Sequence, residues 1–312
     1  MKDWKEQLQD IKKQMPKEEY HTPNNHKRKK KKNVNDEVKV IKKDDNELKW
    51  IDTHAHYNHG KFKSNQNKVL DNIKKDVEYV INLGTDVKSN KATLKMIKDY
   101  DFIYGMIGFF PTDVFALEDS DVNSEFIYQL NNQKIVGIGE IGLDFNWDCV
   151  NGPDGKILGD EARKLQEKWL RYQLNLAKKM NLPVSLHSRD AEEDTARIFK
   201  DYEEIKGVMH CFSYGVEAAK LYLEKGLYLG VGGTSTYKSN EDIRAAIKYA
   251  PLDRILLETD APYLSPEPVR RSLNTSSNIT YVIDNIANIK NVSREEVIRQ
   301  TNLNAKKLFN LQ

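Results

Sequence analysis

Cysteine is scarce in this chain. Its 312 residues hold two, Cys149 and Cys211, too few for a disulfide framework or a thiolate zinc cluster. A reducing cytosol is the expected compartment. Long apolar runs are also missing. None approaches the ~20 residues that a membrane-spanning helix needs, so no membrane partner is expected. The opening stretch, Met1–Asp10, mixes charges with its few apolar residues. It lacks the apolar h-region of a secretory signal, although export by another route stays open. No Gly-x-Gly-x-x-Gly fingerprint or phosphate-binding P-loop follows the first strand-like run. That absence weighs against a doubly wound nucleotide-binding sheet. No internal repeat of fixed period is visible.

A net excess of one charge is nearly absent too, at +2 for the whole chain, but the balance is uneven. Residues 1–49 carry 15 Lys and Arg against 10 Asp and Glu, which leaves 34 against 37 for residues 50–312. A basic leader therefore precedes a mildly acidic body. The leader contains six consecutive cations, Lys27 to Lys32 with Arg28 among them. Like charges in such a run repel, so the 1–49 extension is expected to be disordered at least in part. Attraction to polyanions, a nuclear address and a plain solvated linker all remain open readings of it.

What is present in the body is a regular beat. Strand-like runs occur at Trp50–Thr53, Tyr79–Leu83, Ile103–Ile107, Ile135–Gly139, Pro183–Leu186, Gly207–Met209, Tyr228–Val231 and Arg254–Leu257. Several are nearly continuous in Val, Ile and Leu, as suits parallel strands buried on both faces. The segments between them read as helices. Glu161–Met180 is the clearest, with Leu165, Trp169, Tyr172, Leu176 and Met180 on one stripe that Ala162, Leu170, Leu174 and Ala177 widen. Asn181-Leu182-Pro183 ends it, since proline cannot continue a helix. Val216–Lys225, with Gly226 as its C-cap, and Glu241–Tyr249 are shorter versions. Eight such strands in about 260 residues predict one (β/α)8 TIM barrel over 50–312. The Gly- and Asp-rich stretch Asp148–Asp160 is expected to be a mobile loop.

Histidine and acid placement carries the chemistry. His54 and His56 follow the first predicted strand, Glu140 the fourth, His187 the fifth, His210 the sixth and Asp260 the eighth. In a barrel these strand ends converge on one rim, where barrel active sites lie. Imidazole and carboxylate suit Zn²⁺ and Mn²⁺, and carboxylate also suits Mg²⁺. His54 and His56, two apart on extended chain, face the same side. Six ligands exceed one tetrahedral site and suit two divalent ions bridged by a carboxylate, for which Glu140 is the natural candidate. Asp260 could bind metal and also take a proton from an attacking water. His59 lies off this pattern.

These residues sit in motifs that resemble the TatD family of metal-dependent deoxyribonucleases. The resemblance rests on Ile51-Asp52-Thr53-His54-Ala55-His56, Val136-Gly137-Ile138-Gly139-Glu140-Ile141-Gly142-Leu143-Asp144 and Leu182-Pro183-Val184-Ser185-Leu186-His187-Ser188-Arg189-Asp190. It continues in His210-Cys211-Phe212-Ser213, Leu256-Leu257-Glu258-Thr259-Asp260-Ala261-Pro262-Tyr263-Leu264 and the closing Asn304-Ala305-Lys306-Lys307-Leu308-Phe309. It implies a first ion on His54, His56, Glu140 and Asp260, and a second on Glu140, His187 and His210. It also implies DNA as substrate, hydrolysis of phosphodiester bonds, Mg²⁺ in activity and, in some members, 3′-exonuclease action.

The chain departs from the family pattern at Gly108-Phe109-Phe110-Pro111, where Phe110 replaces a common histidine. Phe110 could stack on a base, worth ~1–3 kcal/mol, or simply pack under the rim. Arg271–Ser276 lacks the family's Glu-Pro, which leaves Asn274 without a carried-over role. Arg189 is suited by its fork to a phosphate, or to an ion pair with Glu192 or Glu193. Cys211 should turn into packing. Glu258, Asp52 and Asp144 should orient ligands from behind.

Two other readings stand beside the nuclease. The same barrel serves amidohydrolases acting on small amides or esters, though many bridge their metals with a modified lysine on the fourth strand, where Glu140 stands here. A non-enzymatic nucleic-acid binder would explain the lysine run but not the ligand set. A barrel of this size can act as a monomer.

Overall fold

The computed structural model describes residues 48–118, 120–146, 149–152 and 155–312. The Lys27–Lys32 run and the expected disorder of the extension lie outside the described residues. In the body, the apolar runs form β1 (Trp50–Ala55), β2 (Val77–Leu83), β3 (Ile103–Ile107) and β4 (Ile135–Asp144). A short hairpin follows, β5 (Cys149–Gly152) and β6 (Gly155–Leu158). The remaining strands are β7 (Val184–Arg189), β8 (Gly207–Met209), β9 (Tyr228–Val231) and β10 (Ile255–Leu257). The α-helices are α1 (Gln66–Ile73), α2 (Val87–Asp99), α3 (Ser120–Gln129), α4 (Gly159–Met180), α5 (Glu192–Phe199), α6 (Val216–Glu224), α7 (Glu241–Tyr249), α8 (Ile279–Lys290) and α9 (Arg294–Phe309). Among the described residues, no helix is long and apolar enough to cross a membrane.

Eight strands stand side by side in the order β1-β2-β3-β4-β7-β8-β9-β10, all neighbours parallel. The sheet closes through a parallel bridge between Ala55 and Ala261. At this seam His56 N donates to Ala261 O (2.7 Å) and Asp260 N donates to His54 O (2.9 Å). The architecture is the expected (β/α)8 TIM barrel. Its outer core lies between strands and helices, and includes Trp50, Ile103, Ile138, Trp169, Leu170 and Ile255. A second apolar cluster joins Ile51, Ile81, Met106, Val136, Val208 and Leu256 of the strands to Leu308, Phe309 and Leu311 at the chain end. Asn302 Oδ1 accepts from Ile51 N (3.0 Å), and Asn304 Nδ2 donates to Ile255 O (2.8 Å). These bonds hold α9 against the starts of β1 and β10, closing the base of the barrel.

Three sequence expectations need correction, and the first of them, on strand length, holds also for β1 and β7, which run on to hold His54 and His187 inside them rather than after them. β4 does not stop at Gly139 but runs fully buried to Asp144, so Glu140 lies inside the strand. Its charge is tolerated there because imidazoles face it, as described below. Asp148–Asp160 is not simply a loop: β5 and β6 pair antiparallel from Cys149↔Leu158 to Gly152↔Gly155. The pairing is anchored by Gln166, whose Nε2 donates to Cys149 O (3.2 Å). Finally, the most buried side of α4 is one flank of the expected stripe: Trp169, Ala162, Leu170, Leu174 and Ala177 are buried, and Leu165, Tyr172, Leu176 and Met180 only partly so. That side centres on Gln166 and Gln173, both fully buried. Their amides bond like extra strand residues: Gln173 pairs with Phe109 N and O (2.9 and 3.2 Å), and Gln166 with Asp144 N and O (2.9 and 3.1 Å). Backbone groups satisfied this way make the glutamines good core residues despite their polarity.

Candidate metal centre

Six residues separated by up to two hundred positions meet at the mouth. β1 delivers His54 and its extension His56; β4 delivers Glu140; β7 delivers His187. His210 follows β8 directly, and Asp260 stands three residues past β10 with φ +57°, held in place by the seam bond to His54 O. His54 is wholly buried, and Glu140 and His210 are almost so.

Glu140 sits between two pairs of imidazoles. Its Oε2 lies 3.4 Å from both His54 Nε2 and His56 Nε2. Its Oε1 lies 2.9 Å from His187 Nδ1 and 3.7 Å from His210 Nε2. Asp260 Oδ1 closes the first pair, 3.4 Å from His56 Nε2 and 3.9 Å from His54 Nε2. The rings of His54 and His210 stack with centroids 3.4 Å apart. Ligand-type atoms lie within 4.8 Å of one another in the sets His54/His56/Asp260, Glu140/His187/His210 and His54/His210/Glu258. The first two sets together hold all six residues.

Each ring is steadied on its far side. His56 Nδ1 faces Leu83 O at 3.2 Å. A carbonyl cannot donate, so the proton sits on Nδ1 and the neutral ring's lone pair points inward from Nε2. His187 Nε2 lies 3.1 Å from Asp144 Oδ2, and His54 Nδ1 lies 3.1 Å from Ser185 Oγ. Glu258 Oε1 stands 3.1 Å from His210 Nδ1, off hydrogen-bond alignment, and accepts from Cys211 N at 2.6 Å. Asp52 spans the seam. Its Oδ1 accepts from His54 N (3.2 Å) and Thr259 N (3.1 Å), and its Oδ2 from Thr259 Oγ1 (2.7 Å) and Ser276 Oγ (2.6 Å).

The electrostatics favour positive charge at this point. Burial would raise the Glu140 pKa, but His187, His54 and His56 reverse it and hold the carboxyl well below the usual range. Burial opposes a charged His56, yet Asp260 and Glu140 push it up to about 10. His187 is likewise pushed up to about 9 by Asp144 and Glu140 against burial. His54 goes the other way, to about 4, through burial and the neighbouring His210. Three things therefore fit divalent cations: ring nitrogens that face inward, two carboxylates, and backing partners that fix ring orientation.

The remaining sequence candidates are spread around this centre. Phe110, half-buried after β3, sets its ring 4.7 Å from that of His187. Arg189, exposed at the end of β7, pairs with no carboxylate among the described residues, so the alternative ion pair with Glu192 or Glu193 is not formed. Asn274 is buried, and its Nδ2 donates to Thr259 O (2.9 Å) and Tyr263 O (2.7 Å), bracing the loop that carries Asp260. Cys211 is half-buried, and burial with Glu258 pushes its thiol up, which removes it as a nucleophile. Sequence reading missed Ser185. Its signal was a lone hydroxyl inside the apolar Pro183–Leu186 run. The Leu83 carbonyl left no signal at all.

The sequence profile of the family described as TatD related DNase matches residues 51–310. The chain belongs to the TatD-related DNase family. Within reach of that family, it is 36% identical over 265 residues to the uncharacterized metal-dependent hydrolase YabD of Bacillus subtilis, covering 84% of this chain and 99% of YabD. It is 29% identical over 272 residues to the uncharacterized metal-dependent hydrolase YcfH of Escherichia coli K12, with 84% and 96% covered. The crystal structure of YjjV, a TatD homolog from Escherichia coli K12, superposes with a TM-score of 0.73 at 30% identity, covering 84% of this chain and 98% of that one. The TatD match thus spans the whole barrel.

Proposed function

We propose that this TatD-family chain is a metal-dependent deoxyribonuclease that hydrolyses phosphodiester bonds with two divalent ions. The observation that carries this reading is the division of Glu140: one oxygen serves His54 and His56, the other His187 and His210. His54, His56, Glu140 and Asp260 would hold one ion, and Glu140, His187 and His210 the other. When bound, such a pair activates water, polarises the phosphoryl oxygen and steadies the leaving oxygen. Mg²⁺ is the proposed ion of activity, with Zn²⁺ and Mn²⁺ compatible with the same donors.

The chain's own residues supply the rest. Asp260 accepts the proton of the attacking water. Asp144, Glu258, Ser185 and Leu83 O keep the rings aimed. Arg189 meets a phosphate, and Phe110 offers its face to a base. The proposed mode is removal of nucleotides from a 3′ end. Names of the relatives, metal-dependent hydrolases, support the coarser part of this reading. An amidohydrolase role finds no specific support, because the strand position of a bridging lysine is held by Glu140.

End-labelled and circular DNA incubated with a metal series test the proposal. Hydrolysis is expected with metal, and its loss with chelator, His54→Ala or Asp260→Ala. Full activity in metal-free protein would refute it. Cleavage of the circle would replace the exonuclease mode with an endonuclease one.

A further inference from the structure

His59 falls outside the ligand pattern, yet the fold brings it to the mouth. Two tight turns leave the centre side by side. In one, His59 N donates to His56 O (2.9 Å); in the other, Tyr263 N donates to Asp260 O (2.8 Å). Their side chains meet at the rim: His59 Nε2 lies 3.0 Å from Tyr263 Oη, and Lys61 Nζ sits 4.2 Å above the Tyr263 ring.

The hydrogen bonds fix who donates. Lys61 N donates to His59 Nδ1 (3.1 Å), so that nitrogen is an acceptor and the neutral ring carries its proton on Nε2. His59 Nε2–H then donates to Tyr263 Oη. The tyrosine's own O–H is left to donate elsewhere, and Tyr263 is 41% exposed. Lys61, exposed, forms no ion pair with a carboxylate among the described residues. A phenol donor and an ammonium thus point to solvent from one braced spot. Asn274 fixes it from behind through Tyr263 O.

Position in the ring of strands gives this spot its meaning. It stands over the β10–β1 seam. Phe110 after β3 and Arg189 at the end of β7 stand over the opposite side, around β4 and β7. His59 stands three residues past His56 and Tyr263 three past Asp260, each in a turn bonded back to that ligand residue, so the spot borders the centre on its seam side.

We infer that Lys61 and Tyr263, with His59 as the positioning residue, form a second phosphate subsite that holds the adjacent backbone phosphate of a nucleic-acid strand. The inference rests on the phosphodiesterase reading above.

The test compares the full chain with Lys61→Ala, Lys61→Arg and Tyr263→Phe. The substrates are a 5′-fluorescein-labelled oligothymidylate and bis(p-nitrophenyl) phosphate, which has no second phosphate. In Lys61→Ala the KM for the oligonucleotide should rise about ten-fold relative to the KM for the small diester, with kcat within about two-fold. The dependence of log KM on log salt should lessen by roughly 0.7 for a single strand. Lys61→Arg should restore most of the KM, and Tyr263→Phe should raise it about three-fold while keeping the ring beneath Lys61. Equal losses on both substrates, or an unchanged KM and salt slope, would overturn the subsite. If the full chain cleaves neither substrate, the phosphodiesterase reading fails by itself. Fluorescence anisotropy of the same oligonucleotide in chelator then still decides the subsite: a ten-fold weaker Kd in Lys61→Ala supports it, and an unchanged Kd ends it.

Discussion

At the base of the barrel, Ile51, Val136, Val208 and Leu256 close against Leu308 and Phe309, and every group there is content to be buried. At the mouth, the same β1 and β4 deliver His54 and Glu140 into equal burial, but among rings and carboxylates that only suit one another in the presence of positive charge. One strand therefore serves opposite ends. Its first residues fix the fold and its last residues fix the chemistry. The base resists change through packing. The mouth depends on partners that hold each ring from behind, and its groups gain little for stability by being there.

Four substitutions would sharpen or break this contrast. The largest effect belongs to Glu140→Gln, which removes the carboxylate between the two imidazole pairs; the proposed turnover of DNA should fall about a thousand-fold, with cooperative unfolding retained. Next comes Phe309→Ala at the base. Urea unfolding should show a loss of ~3–5 kcal/mol, while metal affinity, read by chelator competition, stays within about two-fold. A large loss of metal affinity there would break the separation of the two ends. Glu258→Gln lies between these in kind: it withdraws a charge behind His210, and metal affinity should drop about 10–100-fold with little change in unfolding.

The smallest effect sits on the outer helices, at neither end. Glu167 accepts from Arg197 Nη2 (2.6 Å) and Arg171 Nε (2.9 Å), and Arg197 above all holds its carboxyl down at about 2, against an ordinary 4.5. Because the folded pKa is the lower one, the stabilisation is complete above pH 4.5 and is lost as pH falls toward 2. The stability gap between the parent and Glu167→Gln should be flat near neutral pH, close across that acid window, and stay within ~1 kcal/mol because solvent screens the pair.

Much of the barrel was legible because buried parallel strands write themselves as Val, Ile and Leu runs; Ile103–Ile107, Gly207–Met209 and Tyr228–Val231 match to the residue. The convergence of the six polar residues followed from strand order alone. What stayed hidden was polar structure satisfied by distant partners. Gln166 and Gln173 look like solvent-facing residues until the backbones of Asp144 and Phe109 are in place. Glu140 looks like a strand end until four imidazoles surround it. His59 and Tyr263 are 204 residues apart, so no local pattern could pair them.

The seam has a consequence for how the protein comes into being. His54 and His56 are made early, but the backbone that fixes them belongs to Asp260 and Ala261, made some two hundred residues later. A growing chain on the ribosome carries the first ligands long before it can assemble the centre. Closing so distant a contact is the slow part of building such a topology. The centre therefore completes only when the last strand arrives, and a chain cut short before Asp260 carries histidines without an assembled site.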